Sequence, residues 1–260
     1  MFEWGTRTYI FGVLNVTPDS FSGDGVLDRD AALAQALAMR AEGADVIDVG
    51  GESTRPGHVP VSLDDELRRI EPVLPALVQR GVVVSIDTRK AAVARRAIEL
   101  GARVVNDVSG LSDPAMLPAI ATSDAYVVLM DDRDVREASD PVGAVHRNLA
   151  ALIERTIGAG VARGRLIVDP GFGFGKAPRE NLAVLRELER FRDLGCPILV
   201  GTSRKSTIGK VLGGAAPNER LEGTAATVAI AIAKGADAVR VHDVRELARV
   251  VRMADAIVRA

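Results

Sequence analysis

Eight polar side chains stand at or just after the ends of short apolar runs, where they could act together on a small molecule. Each is a carboxylate, an amide, a hydroxyl or an imidazole, so the set offers hydrogen-bond donors, acceptors and charge. Its members are Asn15, Asp48, Asp87, Asn106, Asp131, Asp169, Ser203 and His242. Arg240 lies two residues before His242, so on one strand both side chains would point the same way. Such residues can share a ligand only if the fold gathers all the runs around one opening.

The apolar runs are rich in Val and Ile and alternate with amphipathic stretches, a pattern typical of β-α-β units. We predict eight parallel strands, at residues 8–14, 45–49, 82–86, 103–105, 125–130, 165–169, 197–201 and 237–241. An open sheet collects ligand groups at one switch point, whereas a barrel gathers them from many strands around its mouth. We therefore expect an α/β fold, a (β/α)8 TIM barrel, built as a single domain over residues 1–260.

The stretches between the strands predict helices on the outside of the barrel, and two of them have a clear apolar face. The apolar positions are Leu67, Ile70, Leu74 and Leu77 in one stretch, and Leu247, Val251, Ala254 and Val258 in the last. The helix predicted from Thr224 to Ala233 is small and apolar around nearly its whole circumference. This pattern favours a homodimer contact, with burial beneath neighbouring helices as the alternative.

The charge balance favours a small-molecule partner over a nucleic acid or a membrane. The chain has 33 basic and 35 acidic residues, without a long basic run. The first residues lack the apolar stretch of a signal peptide, so we expect a cytoplasmic location. The one cysteine, Cys196, cannot form an internal disulfide, and no Cys or His spacing indicates a zinc site.

Seven longer motifs follow one another in the chain, each at the end of a predicted strand. They are Asn-Val-Thr-Pro-Asp-Ser-Phe (15–21), Gly-Gly-Glu-Ser-Thr-Arg-Pro-Gly (50–57), Ser-Ile-Asp-Thr (85–88), Asn-Asp-Val-Ser-Gly (106–110), Asp-Pro-Gly-Phe-Gly-Phe-Gly-Lys (169–176), Gly-Thr-Ser-Arg-Lys-Ser (201–206) and Val-Arg-Val-His-Asp-Val (239–244). Across essentially the whole chain they resemble the motifs of the dihydropteroate synthases, which are pterin-binding barrel enzymes. Any one motif alone is weak evidence, but seven in order over one barrel length are specific.

The resemblance implies a transferase of folate biosynthesis that is a target of sulfonamides. Its reaction joins 6-hydroxymethyl-7,8-dihydropterin diphosphate to p-aminobenzoate and releases diphosphate, with Mg²⁺ assisting. The pterin edge carries amino, ring N–H and carbonyl groups, which need acceptors and donors at fixed positions. By resemblance these come from Asp87, Asn106 and Asp169, with Met130 also lining the pocket and Lys205 at the pterin carbonyl. The alternative for the strand-end Asp and Asn residues is that they only cap the following helices.

The resemblance also assigns residues to the diphosphate. Asn15 would bind the Mg²⁺, while Arg240 and His242 would contact the departing group. Charge neutralisation at that developing anion is the main electrostatic demand of the reaction. The family chemistry implies a dissociative displacement, in which diphosphate leaves before the aromatic amine attacks. We therefore expect positioning and water exclusion to matter more than a general base.

Two loops, at 15–28 and 50–62, resemble the mobile loops of the family. By resemblance they close over the substrates and bring Asp19 and Arg55 to the reaction, with Lys205 as the third catalytic residue and Thr54 as a contact. Phe174 would pack on the p-aminobenzoate ring, and Ser206 would hold its carboxylate at the start of a helix.

The chain departs from the family after the fifth strand, where Leu129-Met130-Asp131 stands in place of the usual Leu-Met-His. A carboxylate close to diphosphate would repel it unless it turned outward or had a cationic partner. We expect an outward, solvated Asp131, and from this an effect of Asp131→His on diphosphate release below about tenfold. The first loop also departs from the family, because Ser22-Gly23-Asp24-Gly25 rearranges the usual Ser-Asp-Gly-Gly.

Two other functions are compatible with the motifs. One is a pterin-binding methyltransferase that works with a corrinoid partner, although such an enzyme would not need Ser206. The other is a catalytically silent paralogue that binds pterin, an alternative that the Asp131 departure keeps open.

Overall fold

Eight parallel strands form the centre of the computed structural model, which describes residues 1–17, 28–52 and 60–259. The strands are β1 (Tyr9–Asn15), β2 (Val46–Gly50), β3 (Val84–Asp87), β4 (Val104–Asp107), β5 (Tyr126–Met130), β6 (Leu166–Asp169), β7 (Leu199–Val200) and β8 (Ala238–Val241). They pair in the order β6-β5-β4-β3-β2-β1-β8-β7. A bridge between Val168 and Ile198 joins β6 to the segment entering β7 and so closes the sheet. The predicted TIM barrel and all eight strands are confirmed.

The helices lie outside the strands. They are α1 (Arg29–Glu42), α2 (Leu63–Ile70), α3 (Leu74–Gln79), α4 (Ala91–Glu99), α5 (Met116–Ala121), α6 (Pro141–Gly158), α7 (Pro178–Arg186), α8 (Ser206–Val211), α9 (Leu221–Ala233) and α10 (Val244–Val258). Over the parts of the chain that are described, no helix combines the length and the apolar character needed to cross a bilayer.

Two helices, α2 and α3, occupy the stretch for which one continuous helix is predicted, so that prediction is wrong. Pro72 lies between them, and its ring lacks the N–H that an uninterrupted helix needs. The apolar face survives the break, because Ile70, Leu74 and Leu77 are all fully buried. In α10 the predicted face is also buried except at its last position, where Val258 is 42% exposed.

Aromatic side chains fill the amino-terminal end of the barrel. Phe2 stacks on Trp4 with ring centroids 4.4 Å apart, and its edge-to-face contact with Tyr126 spans 5.1 Å. Tyr9 and Phe11 of β1 complete the cluster and are buried inside the barrel. Because this end is packed with apolar rings, a polar ligand has to enter from the carboxyl ends of the strands.

Strand periodicity produces a polar layer directly above the apolar one. Alternate residues of a strand point to the same side, so the residue two positions beyond an interior apolar side chain also faces the interior. In this way the interior positions Val46, Val104, Val128, Ile167 and Ala238 are followed by Asp48, Asn106, Met130, Asp169 and Arg240. The barrel therefore has an apolar lower half and a mouth lined mostly by charged and amide groups.

Candidate active site

The mouth of the barrel brings together the residues predicted for the pterin pocket. The strand register places Asp87 beside Asn106 and Met130 beside Asp169. All four are buried, with exposed fractions between 1% and 7%. None of the four is the N-cap of the helix that follows it, so capping does not account for them. The arrangement presents carboxylate and amide groups inside a cavity that is apolar below.

A buried ion cluster centred on Arg240 spans one side of the mouth. The Arg240 guanidinium donates to Asp48 and to Asp87, each over 2.6 Å. The Asn106 amide donates to the same Asp48 carboxylate over 3.0 Å. Burial raises the pKa of Asp87 to about 7, although Arg240 acts in the opposite direction. For Arg240 itself burial works against the charged form, but Asp48 and Asp87 outweigh it, so the pKa is raised and the cation is permanent.

Lys205 and Asp169 form the opposite side of the mouth. The Lys205 ammonium donates to the carbonyl of Phe172 and lies 4.2 Å from the centre of the Phe174 ring. Burial lowers the pKa of Lys205 to about 7, with Asp169 opposing this change. Burial likewise raises the pKa of Asp169, whose carboxylate accepts a 2.8 Å hydrogen bond from the N–H of Gly171. Lys205 can therefore change protonation when a ligand binds in the mouth.

Glycine is required where the loop after β6 folds back over the end of β5. Gly171 has a φ of +71°, and a Cβ there would lie 1.9 Å from the carbonyl oxygen of Asp131. No side chain fits at that distance. This close approach positions the 169–176 loop, which carries Phe174, against the mouth.

The remaining predicted residues surround the mouth at its rim. His242 follows β8, and its Nδ1 lies 3.0 Å from the Ser203 hydroxyl at the end of β7. Asn15, the last residue of β1, is half-buried, with its side-chain oxygen facing Gly50 of the neighbouring strand. Ser206 is exposed at the first position of α8. Asp19, Thr54 and Arg55 lie outside the described residues.

The expectation of a solvated, outward Asp131 is wrong. Its side chain is 1% exposed, and one carboxylate oxygen lies 3.6 Å from the equally buried ammonium of Lys176. Lys176 also donates to the main-chain carbonyls of Asp131 and Phe174, each over 3.0 Å. The carboxylate thus points inward beneath the loop after β6, because the buried ammonium of Lys176 lies there. The expected small effect of Asp131→His depended on the outward orientation and loses its basis.

A second buried ion cluster, not predicted from the sequence, lies next to the site. The Lys90 ammonium donates to Glu52 and, over 2.6 Å, to Glu66, whose carboxylate also accepts from Thr88 over 2.7 Å. Glu66 is fully buried and Glu52 nearly so, and burial raises the pKa of Glu66. Nothing in the sequence marks Glu66, because it stands in a helix among exposed charges. For Asp48, by contrast, a signal exists: it is a lone charge inside an otherwise apolar strand.

Comparisons with known proteins agree with this geometry. A model of the family "Pterin binding enzyme" matches residues 11–242. A dihydropteroate synthase of Clostridium beijerinckii is 47% identical over 262 residues, covering 99% of this chain and 97% of that protein. A crystal structure of the Clostridium difficile dihydropteroate synthase in the presence of pteroic acid superposes with a TM-score of 0.95 at 48% identity, covering 100% of both chains. The Yersinia pestis dihydropteroate synthase with a sulfonamide drug has a TM-score of 0.93 at 40% identity, covering 98% of this chain and 95% of that one.

Proposed function

The chain belongs to the dihydropteroate synthase family of pterin-binding transferases, and on this premise we propose how its own residues carry out the reaction. It condenses 6-hydroxymethyl-7,8-dihydropterin diphosphate with p-aminobenzoate to give 7,8-dihydropteroate and diphosphate. The observation that carries the proposal is the buried layer of Asp87, Asn106 and Asp169, with the half-buried Lys205 beside it, at the open end of a closed barrel. Mixing the purified chain with both substrates and measuring diphosphate and dihydropteroate tests it. Pterin binding without product would instead support the silent paralogue, and methyl transfer from methyltetrahydrofolate would support the methyltransferase.

The pterin binds in the polar layer. The carboxylates of Asp87 and Asp169 accept hydrogen bonds from the amino and ring N–H groups, Asn106 provides an amide, and Lys205 donates to the pterin carbonyl. Met130, buried beside Asp169, packs against the ring. Because these side chains come from strand ends fixed by the barrel, the pocket is formed before the second substrate arrives.

We expect Asp169→Asn to weaken pterin binding by about 1–3 kcal/mol, since an amide leaves a buried hydrogen-bonding partner poorly satisfied. Titration calorimetry with the pterin alone measures the change. The matched control is Asp193→Asn, whose carboxylate is 71% exposed and pairs with His146 on the outside of the barrel. Unchanged pterin affinity in Asp169→Asn would remove Asp169 from the pocket.

Pterin binding is expected to take up protons at pH 8 and to release them at pH 6. In the empty pocket the pKa of Lys205 is about 7, so at pH 8 it is largely neutral, and a carbonyl acceptor draws it to the ammonium form. The pKa of Asp87 is also about 7, so at pH 6 it is largely protonated, and pterin N–H donors favour the carboxylate. Calorimetry in buffers of different ionisation enthalpy gives the sign. Uptake at pH 8 that persists in Lys205→Met would contradict the assignment to Lys205.

Magnesium fits a site with few protein ligands. Among the residues described, no three His, Cys, Asp or Glu side chains are arranged to hold a metal ion. Asn15 offers an amide oxygen at the rim, which is a hard donor that Mg²⁺ accepts. Mg²⁺ commonly binds through one or two protein groups together with substrate phosphates. Asn15 and the substrate diphosphate would then hold the Mg²⁺ together, and the metal would neutralise the charge of the leaving group.

The chain's own residues orient the displacement. Arg240 and His242 stand on the rim side of β8 and contact the diphosphate, which favours charge separation from the pterin. Phe174 packs on the ring of p-aminobenzoate, and Ser206 hydrogen-bonds its carboxylate. Asp19, Thr54 and Arg55 keep the roles that the resemblance implies, covering the two substrates and excluding water. The amine is already nucleophilic, so the barrier falls through positioning rather than through a general base.

We also propose a homodimer, in which the outer surface of α9 and α10 packs against a second copy of the chain. Ala229 and Ala233 of α9 and Val250 of α10 line an apolar groove of about 520 Å³ on the outer surface. Met253 and Ile257 also line this groove and are 63% and 68% exposed, which favours a second copy over burial within the chain.

We expect the unaltered chain to sediment as a dimer at micromolar concentration and Ile257→Glu to sediment as a monomer, because a buried, unpaired carboxylate disfavours the contact. Leu182→Glu is the control, since Leu182 is exposed on α7 outside the groove. A monomeric unaltered chain would contradict the dimer.

A cytoplasmic location also belongs to the proposal, and cell fractionation tests it.

A further inference from the structure

Arg204 has a main-chain conformation that side-chain-bearing residues rarely adopt. Its φ is +58°, and Leu111 is the only other non-glycine residue with a positive φ in the described parts of the chain. Arg204 lies between Ser203, which contacts His242, and Lys205, which faces the pterin pocket. A strained main chain persists only where its surroundings hold it, and such residues cluster at functional sites.

Three other parts of the chain hold Arg204 in this conformation. Its guanidinium makes two hydrogen bonds to Asp243, of 3.0 and 2.5 Å. Its carbonyl accepts from Arg220 over 2.7 Å, and its N–H donates to the Thr224 hydroxyl over 3.2 Å. Arg220 in turn packs so closely on α8 that a Cβ at Gly209 would lie 2.5 Å from its guanidinium. The strained residue is therefore fixed through its side chain and both main-chain groups.

These contacts connect the loop after β7 with the loop after β8. Asp243 directly follows His242, and Arg204 directly follows Ser203. The bridge from Arg204 to Asp243 thus stands next to the contact from Ser203 to His242, and together they tie the end of β7 to the end of β8. Ser206 follows two residues later at the start of α8, so its direction depends on the main chain at Arg204, whereas the Lys205 ammonium is held separately by the carbonyl of Phe172.

We propose that Arg204, held by Asp243, is a positioning residue that aligns Ser206 with Arg240 and His242, and so aligns p-aminobenzoate with the pterin. The inference depends on the proposed function, because it concerns the second substrate of that reaction. Arg204 acts through its neighbours: its guanidinium is engaged by Asp243, and both side chains are only about a fifth exposed, at 19% and 20%. Pterin binding should change little, since Asp87, Asn106 and Asp169 come from other strands and the Lys205 ammonium keeps its own hydrogen bond to the carbonyl of Phe172.

The test compares Arg204→Asn and Asp243→Asn with a control at the far end of the barrel. Asparagine tolerates a positive φ, so Arg204→Asn removes the bridge while sparing the main chain. The control is Arg7→Asn, because Arg7 forms the same two-bond contact with Asp45, at 3.0 and 2.6 Å, before β1 and β2. The measurements are kcat, KM for each substrate, and the pterin Kd by calorimetry without p-aminobenzoate.

For Arg204→Asn we expect KM for p-aminobenzoate to rise about tenfold and kcat to fall about tenfold, because small misplacements of reacting groups are costly. The pterin Kd should change less than about twofold, since Asp87, Asn106 and Asp169 stand on other strands and Lys205 is held by the carbonyl of Phe172. Asp243→Asn should also raise KM for p-aminobenzoate and lower kcat, and Arg204→Lys should show smaller changes than Arg204→Asn. The double variant Arg204→Asn with Asp243→Asn should lose no more activity than Arg204→Asn alone. Arg7→Asn should leave all of these constants unchanged.

Two results would overturn the inference while the unaltered chain is active. One is that Arg204→Asn loses stability but keeps both KM values and kcat, which would make the bridge a fold contact only. The other is an equal loss of pterin and p-aminobenzoate affinity. If Arg204→Asn does not fold, Asp243→Asn and Arg204→Lys decide in the same way. An unaltered chain that binds pterin but forms no dihydropteroate would contradict the proposed function instead.

Discussion

Replacing Arg240 with methionine should lower the free energy of unfolding by about 3–5 kcal/mol and eliminate measurable turnover, because removing one partner leaves buried charges uncompensated. Arg240 is the shared cation of Asp48 and Asp87, which are 0% and 3% exposed. Without it the two carboxylates face each other inside the mouth, and at least one must take up a proton. Denaturant unfolding followed by tryptophan fluorescence measures the loss, since Trp4 lies in the aromatic cluster at the opposite end of the barrel.

Two companion variants separate charge from geometry in this cluster. Arg240→Lys keeps the charge, but an ammonium cannot place two donors on two carboxylates as the planar guanidinium does. We expect it to recover part of the stability and little of the turnover. Asp87→Asn combined with Arg240→Met should be more stable than Arg240→Met alone, because one buried negative charge is gone. If Arg240→Met unfolds at the same denaturant concentration as the unaltered chain, Arg240 does not hold the cluster together.

The barrel and most of the pterin layer could be predicted from the sequence because both depend on local patterns. Val- and Ile-rich runs of three to seven residues predict the strands, and period-two alternation predicts which side chains face inward. That is enough to predict that Asp87, Asn106 and Asp169 meet, and the strand register confirms that Asp87 pairs with Asn106. The chain supplies this information residue by residue, without reference to distant contacts.

What the sequence could not predict depends on contacts between distant elements. The inward turn of Asp131 is decided by Lys176, which lies 45 residues further along the chain and folds back over β5. Lys90 likewise joins Glu52 and Glu66, which stand 38 and 24 residues away from it. From the sequence alone, a charged residue on a loop or helix is predicted to be solvated, because its partner is not known. The break between α2 and α3 is different, since Pro72 is a local signal that the apolar periodicity obscures.

Asp131→Leu should lower the free energy of unfolding at pH 7 by about 3–5 kcal/mol, because it leaves the Lys176 ammonium buried without its carboxylate. Both side chains are fully buried, and burial already lowers the pKa of Lys176 while Asp131 opposes that change. Loss of Asp131 lowers this pKa further. Asp131→Asn is the matched control for shape, since it removes the charge and keeps the size. Asp131→Asn should also lower the free energy of unfolding, but by less, because it disturbs the packing less.

The pH dependence of Asp131→Leu distinguishes a buried charge from a simple packing defect. In the unfolded chain Lys176 has an ordinary lysine pKa, whereas in the folded variant the pKa is lower. Between those two values the unfolded state binds more protons, so stability must rise with pH. We therefore expect Asp131→Leu to lose less stability at pH 9 than at pH 7, relative to the unaltered chain measured at each pH.

The double variant Asp131→Leu with Lys176→Met completes a double-mutant cycle for this ion pair. Replacing both members of a buried pair with apolar residues of similar volume is often neutral or stabilising, whereas removing one is costly. We expect the double variant to recover most of the stability that Asp131→Leu loses. Turnover should stay low, because Lys176 also anchors the carbonyl of Phe174, and we propose that p-aminobenzoate packs against the loop that carries Phe174. Additive losses of stability in the two single variants would show that Asp131 and Lys176 do not act as a pair. The inward carboxylate would then need another cationic partner, for which Arg133 is the first candidate, since it also helps to keep Asp131 ionised.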